Sequence, residues 1–482
     1  MEALHGAVAG FYDPVQHEAA PAASSRFGGV VSRAAANAGL QSLEQATAWL
    51  RGLIDVERRP DWPYQRFSLD PIRALLARLG NPERALPVVH VAGSKGKGST
   101  ALLTEAILRG AGRRVGTYTS PHLERWTERF RVGGVEIDGA RLAAAIERVR
   151  PHVEALCAGD ARTAPTFFDA ITAAAFVLFA EARVECAVLE VGLGGRLDST
   201  NACEPALTCI TSIELEHTDR LGNSLAAIAA EKAGILKRGI PAVVGRLPDE
   251  ALAVVERRAA EVGAPIARFG RDFEGELLDA DLEGSRIRLR DGALETAARL
   301  PLLGAPSVHN AALALACARQ LLGDAVPAPE LAELARSSLA SVELPGRIEV
   351  VCRRPLILVD AAHTADSARA LASVLDRLAR PLRLVLSISE GKDVGAILAP
   401  LLPLASSLVL TRAEPVRSMA PEALASLASR IAPDLTALVE EDPRVAVQSA
   451  RARCADTDAM CVTGSVYLAG IARAELLRVE DS

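Results

Sequence analysis

The sequence predicts an α/β protein: a larger domain on a parallel sheet, followed by a smaller α/β domain at the C-terminal end. Three observations lead there. Short, near-continuous apolar runs alternate with segments of helical period between about residues 85 and 237, as parallel strands covered on both faces do. A glycine-rich run, Gly93-Ser94-Lys95-Gly96-Lys97-Gly98-Ser99, joins one such strand to the helix after it. A Pro345-Gly346 break then precedes a second series of alternating strands and helices. Length agrees, since 482 residues at about 150 per domain suggest two large domains or three smaller ones.

The elements follow in order. Residues 1 to about 40 are rich in Ala, Gly and Ser without a sustained period, and read as a flexible extension. Ser42 to Leu53 is helical. Leu69 to Leu79 is a second helix, ended by Gly80-Asn81-Pro82. Ala85 to Ala92 is an apolar strand running into the glycine-rich run, and a helix spans about Thr100 to Gly110. Then come a strand at Arg114–Thr119, helices at Ala140–Ala155 and Phe168–Ala182, a buried strand at Cys186–Val191, a strand at Ala206–Ser212 and a helix at Ser224–Lys237. Around Phe273 to Leu300 the period shortens to alternation, which suggests a hairpin insert. Asn310–Leu322 and Pro329–Leu339 are helices. Past the hinge-like Glu343-Leu344-Pro345-Gly346, strands recur at Leu356–Val359, Leu382–Ile388, Ser407–Thr411 and Ala459–Thr463. Domains at residues 41–342 and 346–482 follow from this reading.

Composition narrows the function. The 24% charged and 50% hydrophobic residues are those of an ordinary globular chain, which excludes a disordered chain, a collagen and a coiled-coil rod. A net charge of −6 without basic blocks argues against nucleic acid. Apolar runs such as Ala173–Ala180 fall far short of the roughly 18 residues that a membrane span needs. The start lacks the basic-then-apolar pattern of a signal peptide. The expectation is a cytoplasmic monomer acting on small molecules, with no nucleic acid and no membrane. The eight Cys form no CxxC pair and read as small buried hydrophobes of a reducing compartment, with metal ligation as the alternative.

Lysine usage is more telling. There are five Lys against 49 Arg: Lys95, Lys97, Lys232, Lys237 and Lys392. In a background that favours Arg, a retained Lys points to chemistry that a guanidinium cannot supply, although five residues can also cluster by chance. Two of the five fall in the glycine-rich run. A strand, that run and a helix make a phosphate cradle, because inward-turned amides and the helix N-terminus favour anions. Lys97 would reach the β- and γ-phosphates and Ser99 would face Mg²⁺. The alternative is an ordinary glycine-rich turn. Glu190 ends a buried strand before Gly192-Leu193-Gly194-Gly195, where α/β proteins bind ligands, and a carboxylate there suits Mg²⁺. A turn-stabilising acid is the alternative. His217-Thr218-Asp219 follows the next strand, with Lys232 on the helix beyond. A lone His is more often structural.

At this point the residues resemble a known family. His90-Val91-Ala92-Gly93-Ser94-Lys95-Gly96-Lys97-Gly98-Ser99 is similar to the HVAGTNGKGS loop of folylpolyglutamate and dihydrofolate synthases, the folate branch of the Mur ligases. Further matches occur in order: Tyr118 to Leu123, Glu128 to Val132, Thr166 to Asp169, Glu190 to Asn201, His217-Thr218, Glu231 to Ile235, Pro345-Gly346-Arg347, Asp360 to Thr364 and Lys392-Asp393. The resemblance covers about residues 42 to 475. It implies a parallel-sheet P-loop ATPase domain with a smaller α/β domain. The implied enzyme is an ATP- and Mg²⁺-dependent ligase adding L-glutamate to a folate or dihydropteroate carboxylate through an acyl phosphate. By carry-over, Ser94, Lys95, Gly96, Lys97, Gly98 and Ser99 hold phosphates, and Asn310, Arg347 and Asp360 complete the ATP site. Ser120, Glu190 and His217 are Mg²⁺ ligands. Thr166, Phe167, Phe168 and Asp169 with Leu197, Asp198 and Ser199 shape the pterin pocket, and His363 and Ser465 face glutamate. Lys97, Lys232 and His217 are the expected catalytic set, with Lys232 matching a lysine that the family carbamylates.

The chain departs from the family pattern at five places. Ser94-Lys95 stands for Thr-Asn, Asp169 for Glu, Glu124 for an apolar residue, Glu216 for Asp, and Thr364-Ala365 for Asn-Pro. Rival readings are a ligase of another acid or amine, a regulatory NTPase, and a non-catalytic binding module. The Glu190, His217 and Lys232 set favours the ligase.

Overall fold

The computed structural model describes residues 40, 42–54, 67–160 and 163–478. The expected N-terminal extension lies, but for Leu40, outside the described residues. The first sheet has eight strands: β1 (Val88–Ala92), β2 (Val115–Tyr118), β3 (Phe130–Val132), β4 (Val135–Glu136), β5 (Cys186–Glu190), β6 (Leu207–Ile210), β7 (Ala242–Val244) and β8 (Ile266–Arg268), in the order β4-β3-β2-β5-β1-β6-β7-β8. β2 through β8 in that order run parallel. β3 and β4 add an antiparallel edge. All five residues of β1 and of β5 are buried, so neither strand alternates in sequence. Their register pairs Val91 with Glu190, and β1 pairs Ala92 with Ile210 of β6. The C-terminal ends of three strands therefore meet at the start of the glycine-rich loop.

One face of this sheet carries the helices Lys97–Gly110, Ala305–Leu322 and Ala328–Leu339, packed through Leu103, Ile107, Leu313 and Leu339. The other face carries Leu43–Arg51, Asp70–Arg78, Gly139–Cys157 and Phe167–Glu181. The last of these is buried from Asp169 to Phe179 without a gap, which explains its featureless apolar sequence. Helices Leu225–Ala233 and Asp249–Val262 close the β6–β7 end. The expected hairpin is a three-stranded antiparallel sheet of β9 (Phe273–Asp281), β10 (Gly284–Asp291) and β11 (Leu294–Leu300). Its inward residues Ile287, Leu289 and Ala298 join the first core.

The second lobe is a six-stranded sheet of β12 (Glu349–Arg353), β13 (Leu356–Val359), β14 (Leu382–Leu386), β15 (Ala405–Leu410), β16 (Ala437–Val439) and β17 (Ala459–Thr463), in the order β12-β13-β17-β14-β15-β16. It has a core on each face. The segment expected as a hinge is anchored on both sides. Leu344 is buried in the first lobe's core, and the Gly346 carbonyl accepts the Ala361 amide at 2.9 Å.

The expected parallel sheets stand, with antiparallel edges at β3–β4 and at β12. β3, β4, β7, β8 and β16, of two or three residues each, are too short to show a period. One expectation needs correction. The helix after the glycine-rich loop begins at Lys97 rather than Thr100. Gly96, at φ +80°, turns the chain directly into it.

That helix carries the loop, so its packing can be tested apart from chemistry. Ile107 is fully buried in the first core. Ile107→Ala is expected to cost about 3 kcal/mol, read as a lower denaturant midpoint with an unchanged slope.

Candidate active site

The glycine-rich loop requires glycine at two positions. Gly93 has φ +151°, and a Cβ there would lie 1.9 Å from Thr211 Oγ1. Gly96 has φ +80°, and its Cβ would lie 2.3 Å from Asn310 Oδ1. The loop is laced to the end of β6. The Ser94 amide donates to the Ser212 carbonyl at 2.8 Å, the Lys95 amide to Ser212 Oγ at 2.9 Å, and Thr211 Oγ1 to the Lys95 carbonyl at 2.5 Å. Ser94 Oγ accepts the Glu214 amide at 2.9 Å. The first amides of a helix lack partners inside it, so this loop presents the start of a 14-residue helix at the sheet's C-terminal edge. Lys97 folds back to donate to the Gly93 carbonyl at 3.0 Å. Asn310 is buried against the loop from helix Ala305–Leu322.

Glu190, the last residue of β5, is 6% exposed. Its Oε2 accepts the Ser120 amide at 2.9 Å, which ties the loop after β2 to the site. Gly98 packs on the same carboxylate, where a Cβ would stand 3.0 Å from Oε2. Burial raises the Glu190 pKa; Lys97 leads the opposing influences, followed by the Ser120 amide, Arg347 and Arg129. Arg347 is solvent-exposed and belongs to the second lobe, yet its charge is felt by Glu190, Asp360 and His363. The two lobes therefore face one cleft across Glu190.

The residues fit a Mg²⁺ ion held partly by phosphate oxygens. Such an ion needs only one or two carboxylates and keeps several waters. Among the described residues no three His, Cys, Asp or Glu converge as a metal cage. Among them, too, Glu190 Oε1 has no hydrogen-bond donor, which leaves a carboxylate oxygen for a cation. His217 sits exposed at φ +47° before the short helix Thr218–Leu221, with Glu216, Lys392, Lys97 and Lys232 as its charged neighbours.

Lys232 is 2% exposed, so it is no lysine of a solvated face. Its Nζ donates to the Gly93 carbonyl at 2.9 Å and to Glu216 Oε1 at 2.9 Å. Desolvation lowers its pKa to about 8 against the pull of Glu216. The sequence reading placed Lys232 beside Glu190 and His217; its nearest acid is Glu216. Burial alone would raise the Glu216 pKa, but Lys232, Lys97 and Lys95 together hold it far below the ordinary carboxylate range. Lys95 Nζ lies 3.6 Å from Glu216 Oε2.

In the second lobe, buried Asp360 follows β13. Its Oδ2 accepts the Ile348 amide at 2.9 Å and its Oδ1 the Ala362 amide at 2.7 Å, so it shapes the loop bearing Arg347. His363 lies across the cleft with Nε2 3.4 Å from Lys95 Nζ. Ser465 is buried and caps helix Val466–Leu477, its Oγ accepting the Tyr467 amide at 3.2 Å.

The residues expected in a pterin pocket come together through their own hydrogen bonds. Thr166 and Asp169 form a reciprocal cap on helix Phe167–Glu181, and Ser199 Oγ donates to Asp169 Oδ1 at 2.7 Å. Asp198 accepts the Leu193 and Thr200 amides and so holds the glycine turn after Glu190. Phe168 fills the space left by Gly192, Phe167 packs edge-on against Trp126 at 5.7 Å, and Leu197 is half-buried. Sequence reasoning missed the parts of Glu216 and of Glu128, whose carboxylate collects the Leu123, Glu124 and Arg125 amides at 2.7 to 3.3 Å. The signal for Glu216 was present as a departure beside His217.

Gly96→Ala tests the cradle directly. Both the backbone angle and Asn310 oppose a methyl group there, so the loop must move. Nucleotide affinity measured by calorimetry is expected to fall at least about tenfold, or 1.4 kcal/mol, while the far-ultraviolet dichroism stays unchanged.

Comparison with known proteins agrees with this geometry. Residues 91–318 match the Mur ligase middle domain and residues 348–479 the C-terminal domain of dihydrofolate synthetase. The chain is 36% identical over 456 residues to the dihydrofolate synthase/folylpolyglutamate synthase of Mycobacterium tuberculosis, covering 88% of this chain and 94% of that protein. It is 36% identical over 354 residues to the enzyme of the same name from Bacillus subtilis, 73% of this chain and 80% of that one. It spans only about half, 49%, of a longer Haloferax volcanii relative at 37% identity. The structure of the Mycobacterium tuberculosis folylpolyglutamate synthase complexed with ADP and AMPPCP superposes with a TM-score of 0.80 at 35% identity, over 89% of this chain and 99% of that one. Escherichia coli FolC in complex with DHPP and ADP gives 0.78 at 30% identity, over 92% and 99%. With both family models matched in order and relatives of over 30% identity covering most of their own length, the chain belongs to the folylpolyglutamate synthase/dihydrofolate synthase family of Mur ligases.

Proposed function

We propose that the chain is an ATP- and Mg²⁺-dependent ligase that joins L-glutamate to the carboxylate of a folate or dihydropteroate. The observation that carries this reading is the buried Glu190 against the glycine-rich loop, with His363 of the second lobe 3.4 Å from Lys95 of that loop. In the first step a substrate carboxylate oxygen attacks the γ-phosphorus and ADP leaves, giving an acyl phosphate. In the second the glutamate amine attacks the acyl carbon, loses a proton, and phosphate leaves. Such transfers are served by positioning and charge neutralisation more than by covalent help. Ser94, Gly96, Gly98 and Ser99 would supply loop and helix amides to the phosphates, and Lys97 and Arg347 the cations. Asn310 and Asp360 hold the loops that carry these groups. Glu190, Ser120 and His217 would bind Mg²⁺, which when bound neutralises phosphate charge. Thr166 to Asp169 and Leu197 to Ser199 would line the pterin side, and His363 and Ser465 the glutamate side.

We read Lys232 as carbamylated in the working enzyme. A pKa near 8 leaves part of the amine neutral around pH 7. Lys95 is placed to keep the Glu216 charge when Lys232 gives it up. We also assign domains at 41–342 and 346–482 and a cytoplasmic monomer, which sedimentation of the purified chain would check.

The test is ADP release from a panel of dihydropteroate, tetrahydrofolate and their relatives, with and without glutamate. Release that ignores glutamate would leave a regulatory NTPase. Lys97→Ala is expected to slow turnover at least about a hundredfold, about 3 kcal/mol, with the fold retained; a near-normal rate contradicts the ATP site. Lys232→Arg is expected to lose nearly all activity together with the carbamate signal that ¹³C-bicarbonate gives in NMR of the wild type. Formate or acetate is expected to restore part of the rate of Lys232→Ala.

A further inference from the structure

Lys95 is the other lysine of the loop, used above only as a charge beside Glu216. Its backbone is pinned at both ends, the amide to Ser212 Oγ at 2.9 Å and the carbonyl to Thr211 Oγ1 at 2.5 Å. Its side chain therefore leaves the loop in a set direction. It ends between Glu216 Oε2 at 3.6 Å and His363 Nε2 at 3.4 Å. Glu216 is shared, because its other oxygen takes Lys232 at 2.9 Å. A chain of four groups, Lys232, Glu216, Lys95 and His363, thus begins beneath the loop and ends on the second lobe.

The ring of His363 has one compatible tautomer. Nδ1 lies 2.8 Å from the Ala361 carbonyl, which can only accept, so Nδ1 bears the proton. Nε2 is left with a lone pair, and the Lys95 ammonium donates to it. Burial, and after it Lys95, keeps the ring neutral down to about pH 3. Glu216 is one methylene longer than the Asp common in the family, and its two oxygens span two lysines. Two departures that look independent along the chain are thus in contact, since Lys95 stands where an Asn is usual.

We propose that Lys95 is a cross-cleft positioning residue, which holds His363 as its Nδ1–H tautomer against the phosphate loop and so couples nucleotide binding on the first lobe to amino-acid binding on the second. The identity of that amino acid rests on the function proposed above. Lys95 is held by an ion pair to Glu216 and a hydrogen bond to His363, so its loss should be felt at the amino-acid site before the nucleotide site.

The test uses the full chain as wild type, Lys95→Asn, Glu216→Asp, the double variant, and Glu124→Ala. The last breaks a different contact between the lobes, the 3.0 Å ion pair of Glu124 with Arg473. Losing a charge-assisted hydrogen bond corresponds to about ten- to a hundredfold. Lys95→Asn is expected to raise the glutamate KM by about that factor, while the affinity for AMPPCP changes less than about threefold. The ¹⁵N imidazole shifts of His363 are expected to lose their single-tautomer values in Lys95→Asn and keep them in Glu124→Ala. The double variant is expected to be no worse than the worse single one, because both remove one linkage. A tenfold loss of AMPPCP affinity with glutamate KM and His363 shifts unchanged would make Lys95 a phosphate ligand and overturn the proposal. If the wild type releases no ADP in response to glutamate, the ligase reading fails, and the His363 shifts and AMPPCP affinity still decide the role of Lys95.

Discussion

One carbonyl organises the site. The oxygen of Gly93 accepts from Lys97 at 3.0 Å and from Lys232 at 2.9 Å. Two ammonium groups can share it only because Gly93, at φ +151°, turns it away from the strand that precedes it. That conformation is open because glycine has no Cβ, and Thr211 Oγ1 fills the place where one would stand. The end of β6, the loop after β1 and the helix bearing Lys232 are therefore locked together by one backbone dihedral. From it follow the direction of Lys95, the burial of Lys232 and the start of the helix at Lys97.

Charge balance is the second constraint. Three ammonium groups stand around Glu216, while burial raises the pKa of Glu190 and of Glu214 nearby. Cations gathered without a full set of acids cost free energy in the folded chain and favour a bound polyanion. Burial, with Lys97 and Lys95 adding to it, brings the Lys232 amine within reach of its neutral form. A guanidinium stays protonated there, which gives the sparse lysines of this chain a physical meaning.

The two lobes meet through close backbone packing as well as charge. A Cβ at Gly470 would lie 2.2 Å from the Leu123 carbonyl, and one at Gly346 3.0 Å from the Leu123 side chain. Arg473 binds Glu349 of its own lobe and Glu124 of the other, each at 3.0 Å. Leu123 and Glu124 are themselves positioned by Glu128, so a short segment after β2 carries much of the seam. Arg347 and His363 reach the first lobe's cleft because this seam holds their lobe in place.

Local rules made much of this chain legible. Continuous apolar runs marked β1 and β5 because both are buried on each face, and Gly93 to Ser99 could be read as a cradle because glycine spacing and a following helix are local properties. Lys97, Glu190 and Lys232 stood out by residue type and by place relative to strand ends. The two- and three-residue strands left no period to read. The partnership of Lys95 with Glu216 and His363 spans 121 and 268 positions, and that of Glu124 with Arg473 spans 349, so no window of sequence contains either. Thr166, Asp169 and Ser199 could be gathered as one group from sequence, but that they satisfy each other's hydrogen bonds is decided by the packing of helix Phe167–Glu181 on the turn after Glu190. Sequence by itself determined the layered α/β fold and the chemical types at the site, because both are encoded in residue identity and local period. Which charge faces which was decided only by the tertiary structure, because ion pairs form between chain segments that folding alone brings together.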